Sequence, residues 1–292
     1  MGCALVTDLG GLNDVADGSI DAVKDAPLDA GPPRCDPATP FTPVGAVAGL
    51  ASTADEVMVR LTPNELEAYV QYGGSNPGIL HLDRADTTKP FANAANLGSL
   101  QPLPFGVSSD GLELVPASNL AYDWTRSTTA TNFAGGAQIQ FGGDGGEYVY
   151  QPYIVGGGSR VLYGEQIFVD ADSGIASYEL ARSERSDGGW GSFAQVGLAI
   201  DTTSAVLFPV VSDDELVVYF SQVVKKESGA NHDVLVATRA SRTDPFGAPK
   251  PVAELNTMNS VHPSWISPDL CHLYYIGDKA GYDVYFASRA PP

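Results

Sequence analysis

The chain has 292 residues, a formal net charge of −19, 32 glycines and 21 prolines. That length can bury a substantial core without metals or cross-links, and the charge repels phosphate backbones and anionic headgroups, which argues against a nucleic-acid partner. No apolar run approaches the ~20 residues that span a bilayer, so no transmembrane segment is expected.

The chain opens Met1-Gly2-Cys3, and a cysteine behind a small residue resembles the mature start of a bacterial lipoprotein. Cys3 is therefore an expected lipidation site. A lipid there would place the protein in the periplasm or at the outer-membrane or cell surface of a bacterium, with the anchor as its membrane contact. Residues 4–40 carry seven Asp, two basic residues and no aromatic residue, and show no helical or strand periodicity. Such a segment cannot bury enough apolar surface to offset its ordering entropy, so residues 1–40 are expected to form a disordered tether.

From Phe41 to residue 292, short runs rich in Val, Tyr and Thr alternate with turn clusters, the pattern of many short strands. One turn motif recurs, as L-T-P-N-E-L-E-A-Y from Leu61, V-S-S-D-G-L-E-L-V from Val107 and V-G-G-G-S-R-V-L-Y from Val155. It returns as V-S-D-D-E-L-V-V-Y from Val211 and I-S-P-D-L-C-H-L-Y from Ile266. In each copy an apolar strand ends, a polar tetrapeptide turns and an alternating strand follows.

A second mark follows each turn, an arginine and then an aromatic residue. The pairs are Arg84 with Phe91, Arg126 with Phe133, Arg182 with Trp190 and Arg239 with Phe246. Arg289 has no aromatic after it, but Phe41 to Tyr69 matches Phe246 to Tyr274 at a constant offset, so Phe41 supplies the missing residue. One repeat is split between the two ends of the chain.

Repeats of this length with about four strands each describe an all-β fold, a β-propeller. Both counts give five four-stranded blades over 41–292, with six as the alternative. The closing blade is shared between the N- and C-terminal segments. Pro104, Pro152, Pro209 and Pro263 stand just before four of the turns, which suits an edge strand lining a central channel. The glycine-rich stretch 135–147 has no counterpart in the other repeats and is expected to form a protruding loop.

The repeat unit is clearest in A-T-R-A-S-R-T-D-P-F-G-A-P-K-P-V-A-E-L from Ala237 and in the segment 260–289. It resembles the WD40-like PD40 repeats of TolB-type propellers, whose lipoprotein-like members occur in myxobacteria and planctomycetes. The resemblance covers 41–292 and implies the propeller fold, on which many unrelated functions are built. The α/β domain that precedes the TolB propeller has no counterpart here, so the partnership of TolB with a peptidoglycan-associated lipoprotein is not implied.

With Cys3 set aside, Cys35 and Cys271 remain as a pair. A disulfide between them would suit an oxidising compartment and fasten the tether to the closing blade, two free thiols being the alternative. The four histidines (81, 232, 262 and 272) are scattered, and His272 falls in strand alternation as a structural residue would. No cofactor is expected. Asp170 and Asp172 could offer oxygens to calcium, although acidic hairpin turns are the commoner explanation.

A glycoside hydrolase needs two carboxylates facing one another across the funnel. Asp55, Glu56, Glu147 and Asp201 lie near the inner strands but at unequal distances from their turns, so no catalytic residue is assigned. The stretch from Ser186 to Trp190 lacks Asp-box spacing, and no G-x-S-x-G elbow occurs. What remains is Arg60, Gln151, Tyr153, His262 and Trp265, flanking the prolines near the channel. An arginine, two aromatics, an amide and an imidazole around a concave mouth suit a glycan or an extended peptide. The expected function is non-catalytic: a monomeric, lipid-tethered propeller offering its funnel to a glycan, a peptide or an envelope protein, or serving as a scaffold. A propeller glycoside hydrolase is the alternative.

Overall fold

The computed structural model describes residues 34–290, apart from 51–54, 75–76, 98–102, 118–120, 130, 140–147, 156–160, 170–175, 187–188, 201–204, 227–228 and 280. Strand β1 (Thr42–Ala46) comes first. Blade I follows as β2 (Glu56–Leu61), β3 (Glu67–Tyr72), β4 (Gly78–Asp83) and β5 (Ala92–Asn96). Blade II is β6 (Phe105–Val107), β7 (Glu113–Pro116), β8 (Ala121–Thr125) and β9 (Ala134–Ile139). Blade III is β10 (Tyr148–Ile154), β11 (Val161–Val169), β12 (Ala176–Ser186), β13 (Gly189–Trp190) and β14 (Ala194–Gln195). Blade IV is β15 (Leu207–Val211), β16 (Val217–Lys226), β17 (Gly229–Thr238) and β18 (Lys250–Pro251), and β19 (Val261–Ile266), β20 (His272–Asp278) and β21 (Tyr282–Ser288) complete the set.

Every sheet is antiparallel and ordered as the chain runs, except the closing one, whose order is β1-β21-β20-β19. The protein is a five-bladed β-propeller whose blade V joins β1 to the last three strands, as the split repeat predicts. The innermost strands of neighbouring blades touch all the way round, β2 against β6, β6 against β10, β10 against β15, β15 against β19, and β19 against β2.

Four turns between first and second strands share one construction. The hydroxyl of Thr62, Ser108, Ser212 or Ser267 donates to the Asn or Asp two residues on, at 2.5–2.8 Å. That same Asn or Asp oxygen accepts a backbone N–H from the start of the next strand, at 2.9–3.0 Å. This is why Ser/Thr and Asp/Asn recur two apart: their short side chains mimic the backbone of a tight turn. The fourth turn residue is left-handed. Gly111 adopts it freely at φ 68°, but Glu65, Glu215 and Leu270 take it at φ 60–63° without being glycine.

Each arginine that follows a third strand then ties two blades together. Arg84 lies 4.4 Å over Phe91 and donates to the Glu65 carbonyl at 2.7 Å and to Tyr274 of blade V at 3.1 Å. Arg126 lies 4.6 Å over Phe133 and donates to the Gly111 carbonyl and to Tyr69 of blade I. Arg239 lies 4.5 Å over Phe246 and donates to the Glu215 carbonyl and to Tyr163 of blade III. Arg289 lies 3.7 Å over Phe41 and donates to Tyr219 of blade IV. The aromatic that closes the last repeat is indeed supplied from the front of the chain.

Blade III breaks the rule, and the pairing of Arg182 with Trp190 needs correction. Trp190 is covered by Arg185, at 5.5 Å, while Arg182 reaches Glu215 of blade IV at 2.6 Å. The cause lies in blade II, where Val115 stands at the position of the tyrosine and offers no hydroxyl to the next blade. Arg185 instead reaches back to blade II, bonding Glu113 and, at 2.7 Å, Asp123.

Pro152, Pro209 and Pro263 lie within innermost strands and Pro104 just before one, where a missing N–H costs no ladder bond. Three of these strands carry bulges at or beside the proline, between Tyr150 and Tyr153, Leu207 and Val210, and Pro263 and Trp265. The expectation of a protruding loop over 135–147 is corrected for 135–139, which belong to β9, the outer strand of blade II. Gly136 is there for clearance: a Cβ would come 2.6 Å from the Trp124 ring. Cys35 and Cys271 form a disulfide, and the Cys35 N–H donates to the Asp269 carbonyl at 2.8 Å.

The arginine ties should dominate stability. Arg239→Ala removes a side chain that is 2% exposed, with its bonds to the Glu215 carbonyl and to Tyr163 and its ring contact, and is expected to cost on the order of 3–5 kcal/mol. Arg242→Ala, whose side chain is 60% exposed, is expected to cost under about 0.5 kcal/mol. Urea unfolding of both variants checks the ranking, and equal midpoints would refute it.

Candidate functional site

The inner strands deliver their last residues to a single hollow on the propeller axis. Its walls are Leu61 and Pro63 from blade I, Val107 and Ser109 from blade II, and Ile154 from blade III, with Asp213 from blade IV and Ile266 and Pro268 from blade V. Arg60, Tyr153 and Trp265 line it too, and its cavity volume is about 20 Å³. The rim has a simple origin. Pro63, Ser109, Asp213 and Pro268 are each the second residue of their turn, so the turn that joins strands also edges the mouth.

Arg60 reaches across three blades. It is 2% exposed and donates to Ser264 of blade V and to the Pro152 carbonyl of blade III, the latter at 3.2 Å. Its guanidinium lies 5.0 Å over the Tyr153 ring. Burial lowers its pKa to about 10, so it stays charged at neutral pH. Ser264, the extra residue of the β19 bulge, accepts from the Val59 N–H at 2.7 Å and donates to the Val59 carbonyl at 2.8 Å, which pins β2 to β19 at the axis. Trp265 packs edge-on against Tyr274 at 5.7 Å.

Three of the five residues expected at the mouth, Arg60, Tyr153 and Trp265, therefore meet in one hollow. Gln151 and His262 do not line it; they belong to a second cluster nearer the beginnings of the inner strands. The Gln151 side chain accepts from the Phe208 N–H, and the Phe208 ring lies 4.1 Å from His262, which lies 4.5 Å from His232. Burial and the neighbouring His232 push His262 down to about 3, so it is neutral and bonds Ser221. Gln151 and Phe208 are left-handed, at φ 51° and 53°, each directly before a proline. A backbone held there is strained and persists only where its surroundings fix it.

Of the other expected groups, Asp55 accepts from the Tyr282 N–H at 3.2 Å and Glu56 is buried at the start of β2. Cys3, Glu147, Asp170, Asp172 and Asp201 lie outside the described residues. Among the described residues no three His, Cys, Asp or Glu side chains gather as metal ligands would, and no helix is long and apolar enough to cross a membrane.

Two acids carry more than the sequence announces. Asp213 stands on the rim where blades I and V have proline, a contrast readable from the aligned turns. Glu165, 3% exposed on β11 with one oxygen unpartnered, is pushed by burial to about 8. Nothing in its local sequence marks it.

A separate groove runs along the outer seam of blades V and I, between Val44–Ala48, Thr87–Pro90, His272 and Phe286. In its wall the Glu65 carboxylate receives Tyr274 at 2.8 Å and Arg84 at 3.4 Å, and it bonds His272 Nδ1.

No family model matches the sequence, and no curated protein matches it either. Solved structures resemble it in shape. The catalytic domain of the GH62 α-L-arabinofuranosidase of Coprinopsis cinerea is 11% identical with a TM-score of 0.51, over 85% of this chain and 96% of that one. The Podospora anserina α-L-arabinofuranosidase PaAbf62A is 13% identical with a TM-score of 0.48, over 86% and 97%. The β-propeller domain of Cps50 (Swd1) from Myceliophthora thermophila is 10% identical with a TM-score of 0.42, over 82% and 85%. At such identities the likeness shows the fold.

The bond to Glu65 raises the pKa of His272 above its ordinary 6.5, against burial and the nearby Arg84. The stabilisation is therefore fully present below that ordinary value and is lost as pH rises through the raised one. His272→Gln should narrow its stability deficit to wild type as pH climbs from 5 to 8 in urea unfolding. A deficit independent of pH would show that the imidazole does not titrate in this seam.

Proposed function

We propose that the protein is a non-catalytic binding or scaffold protein of the bacterial envelope, a propeller that presents its axial funnel to a glycan, a peptide or an envelope protein. One observation carries this reading. All five blades converge on a hollow lined by a charged arginine, a tyrosine and a tryptophan, with Ser109 and Asp213 among its apolar residues. The PD40-type reading of the repeats supports an extracytoplasmic role, as does the Cys35–Cys271 disulfide. A ligand that binds only the folded state raises the melting temperature by mass action. A panel of peptidoglycan fragments, oligosaccharides and short peptides should include one that does so, and Trp265→Ala should weaken that ligand about tenfold or more. A panel without a shift, or a Trp265→Ala protein that binds as wild type, would remove the funnel from the account.

A second reading, a propeller glycoside hydrolase, draws on Glu165. A carboxyl pushed to about 8 is protonated at neutral pH, as a general acid must be. The Coprinopsis cinerea domain named above gives the first substrate to try. On this reading 4-nitrophenyl α-L-arabinofuranoside is hydrolysed and Glu165→Gln abolishes the activity. No turnover, or turnover that survives the substitution, would exclude Glu165 as the acid.

A further inference from the structure

Three of the four arginines that tie blades together lie near a carboxylate. Arg84 lies 3.4 Å from Glu65, Arg126 3.7 Å from Glu67 and Arg239 3.9 Å from Glu215. Arg60 is different. Its partners among the described residues are the carbonyls of Val59, Ser264 and Pro152, the Ser264 hydroxyl and the Tyr153 ring, none of them a carboxylate. Its Nε is buried without a hydrogen-bond partner. Carbonyl dipoles and a ring face offset part of the cost of burying a guanidinium, but a full charge in a low-dielectric site still favours an anion beside it. Arg289 also has an unpartnered Nε, yet it is enclosed by Phe41, Tyr219 and the backbone of residues 36–39 and does not line the hollow.

Resting on the funnel reading above, we propose that the group this hollow takes is a carboxylate, seated at its floor against the free Nε–H edge of Arg60. A guanidinium edge matches a carboxylate in shape as well as in charge. Asp213 on the rim opposes the incoming anion and sets a second, independent expectation: removing its charge should help binding.

The acid could come from two sources, an acidic sugar or the C-terminus of a peptide. Isothermal titration of the full chain therefore uses trigalacturonic acid against its methyl ester, and a tripeptide against its C-terminal amide. In at least one pair the acid should bind about tenfold or more tightly than the neutral form, the equivalent of about 1.4 kcal/mol. Arg60→Gln should remove that preference. Asp213→Asn leaves Arg60 in place and should tighten the acid severalfold, a gain that a damaged fold would not give.

Acid and neutral forms that bind alike would overturn the carboxylate while leaving the funnel as a binding site. An acid preference untouched by Arg60→Gln in a folded variant, or an Asp213→Asn protein that binds no tighter, would overturn it too. If neither acid nor neutral probes bind, the carboxylate and the funnel reading fall together.

Discussion

The arginine after each third strand holds one blade to the next, and the ring depends on it. In four of the five blades it stacks on an aromatic of its own blade, bonds backbone carbonyls and crosses to a tyrosine hydroxyl of the blade before; blade III is the exception. Elsewhere neighbouring blades meet through side chains and a few backbone bonds, such as Phe91 N–H to the Ala48 carbonyl at 3.0 Å and Phe246 N–H to the Gly197 carbonyl at 2.8 Å, and the described residues show no continuous ladder between blades. Non-directional apolar packing would tolerate small rotations of one blade on another; a guanidinium with three fixed partners does not. The same residue therefore sets the angle between blades, and with it the alignment of the inner strands that bring Arg60, Tyr153 and Trp265 to the axis.

Much of this was legible in the chain. The turn motif has a physical cause in paired short polar side chains, and it repeats once per blade. The arginine and its aromatic repeat with it, and Phe41 alone accounts for the circular closure. What the sequence hid was the traffic between blades. Arg182 sits at a plausible spacing from Trp190, but the missing hydroxyl at Val115 reassigns both Arg182 and Arg185, a rearrangement that involves three blades at once. Likewise β9 looked like an insertion, because its glycines were read as loop formers when one of them is clearance for Trp124.

The site was half legible for the same reason. Proximity to the inner-strand prolines correctly suggested the axis, but did not separate one end of a strand from the other. Gln151 and His262 lie only a few residues from Tyr153 and Trp265 and yet belong to a different cluster, tied through the strained Phe208. Burial, too, is decided by the folded packing: Glu165 is an ordinary strand residue in sequence and an almost fully enclosed acid in the fold.

The left-handed turn residues Glu65 and Glu215 bring two demands into conflict. Taken alone, each turn would be most relaxed with glycine, as at Gly111. Each glutamate instead extends a carboxylate to the neighbouring blade, Glu65 to Tyr274 and Glu215 to Tyr163. Glycine at both places would ease the two turns while loosening the ring. In this propeller the differences between blades are part of what makes five similar units into one particular object, and a symmetrised version of the sequence would lose the differences on which its axial hollow is built.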